Sequence, residues 1–278
     1  MKPSRLMPDP APDAAAVPPV GTSPPLASIL SQNEKRRVKR LLVHARYRER
    51  LADLGLTRAE HFLSLPGLIV SGHVDRNVSR VLLGVGPRGL PAYLKREHSR
   101  PWKEMLVNWL SGFGWISRSR REARMLQDAR NAGVAVPDWL AAGEDEQGRA
   151  FLLVRALKAV RDLREYLVEF AGSIRERRSF ARRLGAELAR MHDQGFEHRD
   201  LYANHLLIDS EGRIQIIDWQ RARRWRFPLS WNRRLHELAC VDATLEQHTA
   251  SRTDRLACLR AYVAETHLPL RRHQLTRI

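Results

Sequence analysis

The sequence predicts an α+β chain built in two parts, a small β-sheet with one helix followed by a mostly helical half. Three observations predict it. Short β-rich runs separated by turn residues cluster between residues 68 and 157. Beyond Val160 the apolar residues fall at helical spacing instead. One hairpin pattern, LLID–SEGR–IQIID, interrupts that helical half at residues 206–218.

Taken in chain order, residues 1–30 are rich in Pro and Ala with little apolar periodicity, and they read as a disordered tail. A basic amphipathic helix is expected from Ser31, with Val38, Leu41, Leu42 and Tyr47 on one face, inside a helical extension over 31–66. LIVSGHV, SRVLLGV and PAYLKR form a small antiparallel sheet, and SRSRREARMLQDARNAG forms a helix that stops at Gly133. VAVPDWLAAG and RAFLLVRAL, joined by a polar turn, read as a further hairpin that completes a first part over 67–157. The second part spans 158–278. Gly84 to Gly89 match GxGxxG, but a dinucleotide site needs a helix to open there, and the strand-like run at Ala92 follows instead.

The chain has 278 residues, 43% of them hydrophobic, so it can bury a real core. Its formal net charge of +17 predicts attraction to anionic surfaces and ligands. Arginine supplies nearly all of it, the lysines being only Lys2, Lys35, Lys39, Lys95, Lys103 and Lys158. A lysine kept in such a chain marks a place where a compact ammonium serves better than a guanidinium fork. Cys240 and Cys258 lack metal-site or disulfide spacing. No secretory pattern or membrane-spanning run is visible, which predicts a cytoplasmic protein. No helix-turn-helix, zinc or RNA-binding signature accompanies the charge, so no nucleic-acid partner is expected.

The chemistry concentrates in GFEHRDLYANHLLIDSEGRIQIIDW, residues 195–219. Phe180, Leu184, Leu188 and Met191 form the buried face of a preceding helix, and Gly195 stops it. That helix delivers His198, Arg199 and Asp200 to one place, beside a hairpin that ends in Asp218. Two carboxylates with separate duties are what phosphoryl transfer from a nucleotide requires: one orients the acceptor hydroxyl and takes its proton, the other holds magnesium. Asp200 suits the hydroxyl and Asp218 the metal. Lys95, at the end of an apolar run, suits the phosphates, and Glu122 in the following helix is its natural partner.

These features together resemble the protein-kinase-like fold, a bilobal α+β arrangement with a small sheet-plus-helix N-lobe and a mostly helical C-lobe. More closely, YLKREH, RREARMLQDARNAGVAVP, HRDLYANHLLID, IIDWQRAR and SRTDRLACLRAYV resemble the lipopolysaccharide core heptose kinase family over about residues 50–265. The resemblance implies an ATP- and Mg2+-dependent kinase acting on a sugar hydroxyl, a heptose of the lipopolysaccharide inner core. It implies Asp200 as catalytic base, with His198 and Arg199 ordering the loop, Lys95 and Glu122 at the phosphates, and Asp218 at the metal. His205, where protein kinases have asparagine, matches that family and reads either as a second metal ligand or as a brace for the loop. Gly72 is the best candidate for a phosphate-contacting glycine. The acceptor glycan is the implied partner, and a peripheral contact with the anionic cytoplasmic face of the inner membrane fits the charge. Tyr202 departs from protein kinases, which argues against a protein substrate, and Trp219–Gln220 in place of Phe-Gly implies a magnesium loop that does not flip as in regulated kinases. Two other readings stay open: a small-molecule phosphotransferase of the antibiotic-kinase type, and a non-catalytic, polyanion-binding pseudokinase.

Overall fold

In the computed structural model the described residues are 41–73, 75–86, 89–99, 102–110, 112–158 and 160–267. All of them belong to one compact unit, Arg37–Ile278. The expected tail over 1–30 lies outside the described residues. Strands β1 (Leu41–Val43), β2 (Leu68–His73), β3 (Arg76–Leu83), β4 (Leu90–Glu97), β5 (Trp139–Glu144) and β6 (Ala150–Arg155) form one antiparallel sheet in the order β1-β5-β6-β4-β3-β2. The GxGxxG match falls between the paired strands β3 and β4, as its context predicts.

The interior strands β5 and β6 are buried on both faces, which explains their continuous apolar runs. Helix α1 (Arg48–Asp53) and helix α2 (Ala59–Leu63) cover one face, where Phe62 stacks on Phe151 at 4.6 Å. After helix α3 (Trp102–Leu110), helix α4 (Arg118–Asn131) covers the other. Ser117 caps α4 by accepting from the backbone of Arg120, and Gly133 at φ 78° follows its end.

Residues 31–40 of the expected N-terminal helix lie outside the described residues, and its continuation is corrected. Leu41–Val43 is a strand, paired with β5 and extended by the His44 N–H donating to Leu140 O at 2.9 Å. The apolar run meets an open sheet edge there, and tertiary pairing outweighs a helical pattern. Helical backbone resumes after β1, as a 3-10 turn over Ala45–Tyr47 and then an α-helix from Arg48.

The helical half holds β7 (Arg161–Asp162), α5 (Leu163–Val168), α6 (Ile174–Asp193), β8 (Phe196–Glu197), β9 (Leu206–Ile208), β10 (Ile214–Ile216), β11 (Arg223–Arg224), α7 (Trp231–Ala243) and α8 (Arg252–Glu265). Capping boxes start α6 at Ser173–Glu176 and α8 at Ser251–Asp254. These two helices pack so closely that a Cβ on Gly185 would lie 2.1 Å from Cys258 O. Strands β9 and β10 form the expected hairpin, tied to the chain after α4 by Ile216 N–H donating to Ala135 O at 2.9 Å.

Candidate active site

A cleft of about 570 Å3 is walled by Val78 and Val154 from the sheet and by Leu207 and Ile217 from the hairpin. Its polar lining includes Lys95, Glu122, His205 and Asp218, together with Arg76, Asn77, Arg155 and Gln220. Apolar walls with a few convergent charges are the usual make-up of a ligand site.

Lys95 leaves β4 toward α4 and the hairpin. Its Nζ lies 2.5 Å from Glu122 Oε1 and 3.4 Å from Asp218 Oδ1. Burial alone would raise the Asp218 carboxyl, but the Lys95 ammonium, then the His205 imidazole and the Arg76 guanidinium, hold it below its ordinary value. Asp218 also has left-handed backbone at φ 64°, and Arg199 at φ 70°. Non-glycine residues held there cost energy and gather at functional sites.

His198 is fully buried and sits beneath this loop. Its Nε2–H donates to Ile217 O at 2.8 Å, a carbonyl being only an acceptor, while Nδ1 has no partner. Burial lowers its pKa, so the ring is neutral and joins the loop that carries Asp200 to the strand leading to Asp218. Arg199 contributes its backbone N–H, donated to Glu237 Oε1 on α7. Glu237 in turn meets His192, whose other ring nitrogen meets the Tyr262 hydroxyl. A buried network therefore sets the backbone that presents Asp200.

His205 bridges the two aspartates. Its Nδ1–H donates to the Asp200 carbonyl at 2.7 Å, and its Nε2 lies 3.9 Å from Asp218 Oδ2. Asp200 does not line the cleft itself. Its carboxylate is held by Arg221, Nη1 to Oδ1 at 2.8 Å.

Gly72 does line the cleft, yet a Cβ there would only touch Asn77 Cβ at 3.6 Å, so nothing in the packing demands glycine. Trp219 and Trp231 are core residues, while Trp225 is part-exposed. Sequence reasoning missed two pairings. Arg76 Nη1 donates to Gln220 Oε1 across the cleft mouth, and Arg221 holds Asp200. Arg221 had a signal, since it stands three residues after Asp218 in a chain lacking lysine beside Asp200.

Magnesium keeps several waters and takes one or two protein ligands alongside phosphate oxygens. Asp218 supplies a hard carboxylate at the cleft, with His205 Nε2 3.9 Å from its Oδ2, so the site fits such an ion held by this carboxylate and largely by its nucleotide. Among the described residues no group of three or more His, Cys, Asp or Glu could hold a metal by itself. Nor is any helix among them long and apolar enough to cross a membrane.

Residues 93–262 match the model of the lipopolysaccharide kinase (Kdo/WaaP) family. The chain is similar to a 3-deoxy-D-manno-octulosonic acid kinase of Vibrio cholerae, 35% identical over 112 residues, which are 39% of this chain and 46% of that protein. A protein of the same description from Xylella fastidiosa is 30% identical over 122 residues, 41% of this chain and 47% of that one. The lipopolysaccharide core heptose(I) kinase WaaP of Escherichia coli is 27% identical over 178 residues, 58% of this chain and 67% of that one. The chain thus spans about half the length of the octulosonic acid kinases it matches.

Proposed function

We propose, because this chain belongs to the lipopolysaccharide kinase (Kdo/WaaP) family, that it moves the γ-phosphate of ATP onto a sugar hydroxyl of the lipopolysaccharide inner core. The observation that carries the reading is the Lys95–Glu122 pair facing Asp218 in one cleft, with Asp200 on the adjoining loop. We read the fold as bilobal and protein-kinase-like, with an extension over 31–66, an N-lobe over 67–157 and a C-lobe over 158–278. The six-stranded sheet backed by α4 and the helical half around the hairpin support that division.

In this reading Lys95, fixed by Glu122, grips the nucleotide phosphates, with Gly72 and Arg76 at the mouth of the same cleft. Asp218 would hold magnesium, with His205 Nε2 as a second donor. That ion supplies positive charge where negative charge develops on the phosphoryl oxygens. Asp200 orients the acceptor hydroxyl and accepts its proton as the new O–P bond forms. His198, Arg199 and Glu237 touch no substrate and hold the loop in register. Basic residues after Asp218 lie where an acceptor bearing carboxylates or phosphates would be drawn in. The protein would act at the cytoplasmic face of the inner membrane, touching it peripherally.

Heptose is the acceptor we test first. The octulosonic acid kinases are the more identical relatives, which favours 3-deoxy-D-manno-octulosonic acid as the second reading. Purified inner-core glycans carrying one sugar or the other, incubated with labelled ATP and Mg2+, separate the two. Label on the heptose-bearing acceptor alone supports the first, and label that needs only the octulosonic acid selects the second. Label on neither, with the fold intact, contradicts the proposed activity.

A further inference from the structure

Helix α3 is inside out. Among its described side chains the one that is buried is polar: Asn108, 3% exposed, donates to Ile116 O at 2.8 Å and accepts from Arg121 Nη1 at 2.9 Å. Four of its large apolar side chains face solvent, Trp102 62%, Val107 51%, Trp109 58% and Leu110 71% exposed, while Met105 and Leu106 are half-buried. At about 100° per residue these four and Lys103 share one side of the helix. Trp115 adds a further exposed ring just beyond. An amphipathic helix packed on its own domain shows the opposite arrangement.

Basic residues flank that face. Leu110 and Phe113 line an open groove with Arg223, Arg224, Trp225 and Asp128. The chain then continues through the exposed Arg226 and Phe227. Tryptophans at the rim of an apolar face, with arginine and lysine beside them, suit the boundary between acyl chains and headgroups. A second copy of this chain suits it less. A two-fold contact sets a patch against itself, which would bring these arginines together.

We propose that the outer face of α3, with Arg224, Arg226 and Phe227, is a docking surface for a bilayer bearing anionic headgroups. One guanidinium ties this surface to the catalytic loop. Arg121 holds Asn108 of α3 through Nη1 and the Ala222 carbonyl through Nη2 at 2.8 Å, and lies over the Phe113 ring at 4.6 Å. Ala222 adjoins Arg221, whose side chain holds Asp200. Docking through α3 therefore sets the Asp200 side of the site against the surface that would carry a lipid-linked acceptor. Only that last consequence rests on the kinase reading; the docking itself does not.

The test is co-sedimentation of the full chain with vesicles of phosphatidylcholine, alone or mixed with phosphatidylglycerol, in the absence of nucleotide. The unaltered chain should sediment with the mixed vesicles, and added salt should weaken it. Trp109→Ser with Leu110→Ser should lower that binding at least about tenfold while thermal unfolding stays unchanged. Trp102→Ser with Val107→Ser should do the same, which guards against a local folding defect in either variant. Asp218→Asn should bind like the unaltered chain, so a failed kinase reading would leave this result standing. Equal binding by both α3 variants, or no binding of the unaltered chain, overturns the proposal. So does a dimer of the unaltered chain that the α3 variants dissociate.

Discussion

The Asp200 carboxylate is held by Arg221, Nη1 to Oδ1 at 2.8 Å, from a side chain that is itself 59% exposed. An ion pair with so exposed a partner contributes at most about 1 kcal/mol, so it opens easily when an acceptor arrives. Its position suits a cation beside the transferring phosphoryl group, in a chain with Tyr202 where many protein kinases keep lysine. Arg221→Ala should lower transfer by about a hundredfold. Its urea unfolding midpoint should stay near that of the unaltered chain. Arg221→Lys should recover part of the rate, and unchanged transfer in Arg221→Ala would remove this role.

Lys95 and Glu122 are predicted to fail differently. Lys95→Met leaves Glu122, 4% exposed at its side chain, without its partner. Stranding a buried charge costs about 3–5 kcal/mol, so this variant should be both inactive and less stable. Glu122→Gln strands no charge and should mainly weaken ATP binding, read by calorimetric titration. Equal stability of the two variants would contradict the buried-pair account.

His198 gives the stability a pH dependence. Its folded pKa is lowered by burial, whereas in the unfolded chain it titrates near about 6.5. The unfolded state therefore binds the extra proton first, and this contribution to stability is present above about pH 6.5 and declines as the pH falls below it. Urea unfolding between about pH 5 and 8 should show a smaller loss for His198→Asn than for the unaltered chain. Identical slopes would mean that His198 titrates alike in the folded and unfolded chain, contradicting the shift.

Close helix packing supports the loop from below. Gly185→Ala would set a Cβ 2.1 Å from Cys258 O and force α6 and α8 apart, at a cost of about 3 kcal/mol or more. Gly133→Ala meets no atom within 4 Å and only the penalty of φ 78°, about 1–2 kcal/mol. Chemical denaturation of both variants measures the difference, and a Gly185→Ala no worse than Gly133→Ala would refute the close contact.

Much of this architecture was legible because its signals are local. The β9–β10 hairpin, the stop of α6 at Gly195 and the stop of α4 at Gly133 each follow from a few adjacent residues. Lys95 could be singled out because this chain keeps so few lysines. Non-local pairings left no such mark. Leu41–Val43 lies in a helical pattern and becomes a strand only because the β5 edge stands open. Helix α3 escaped notice because its buried residue is Asn108 and its exposed ones are apolar, the reverse of the pattern that identifies a packed helix. Arg221 stands among several arginines after Asp218, so its spacing from Asp218 was its only mark, and the fold shows that it holds Asp200.

The most direct test of the central claim is a paired measurement on Asp200→Asn and Asp218→Asn. ATP affinity would be followed by titration with Mg2+ present, and phosphate gain on inner-core lipopolysaccharide by mass spectrometry. The account predicts phosphorylated glycan with the unaltered chain and none with either variant. It predicts ATP affinity near normal in Asp200→Asn and weakened in Asp218→Asn. Undiminished transfer by Asp200→Asn would contradict the assignment of Asp200 as the group that takes the proton from the sugar hydroxyl.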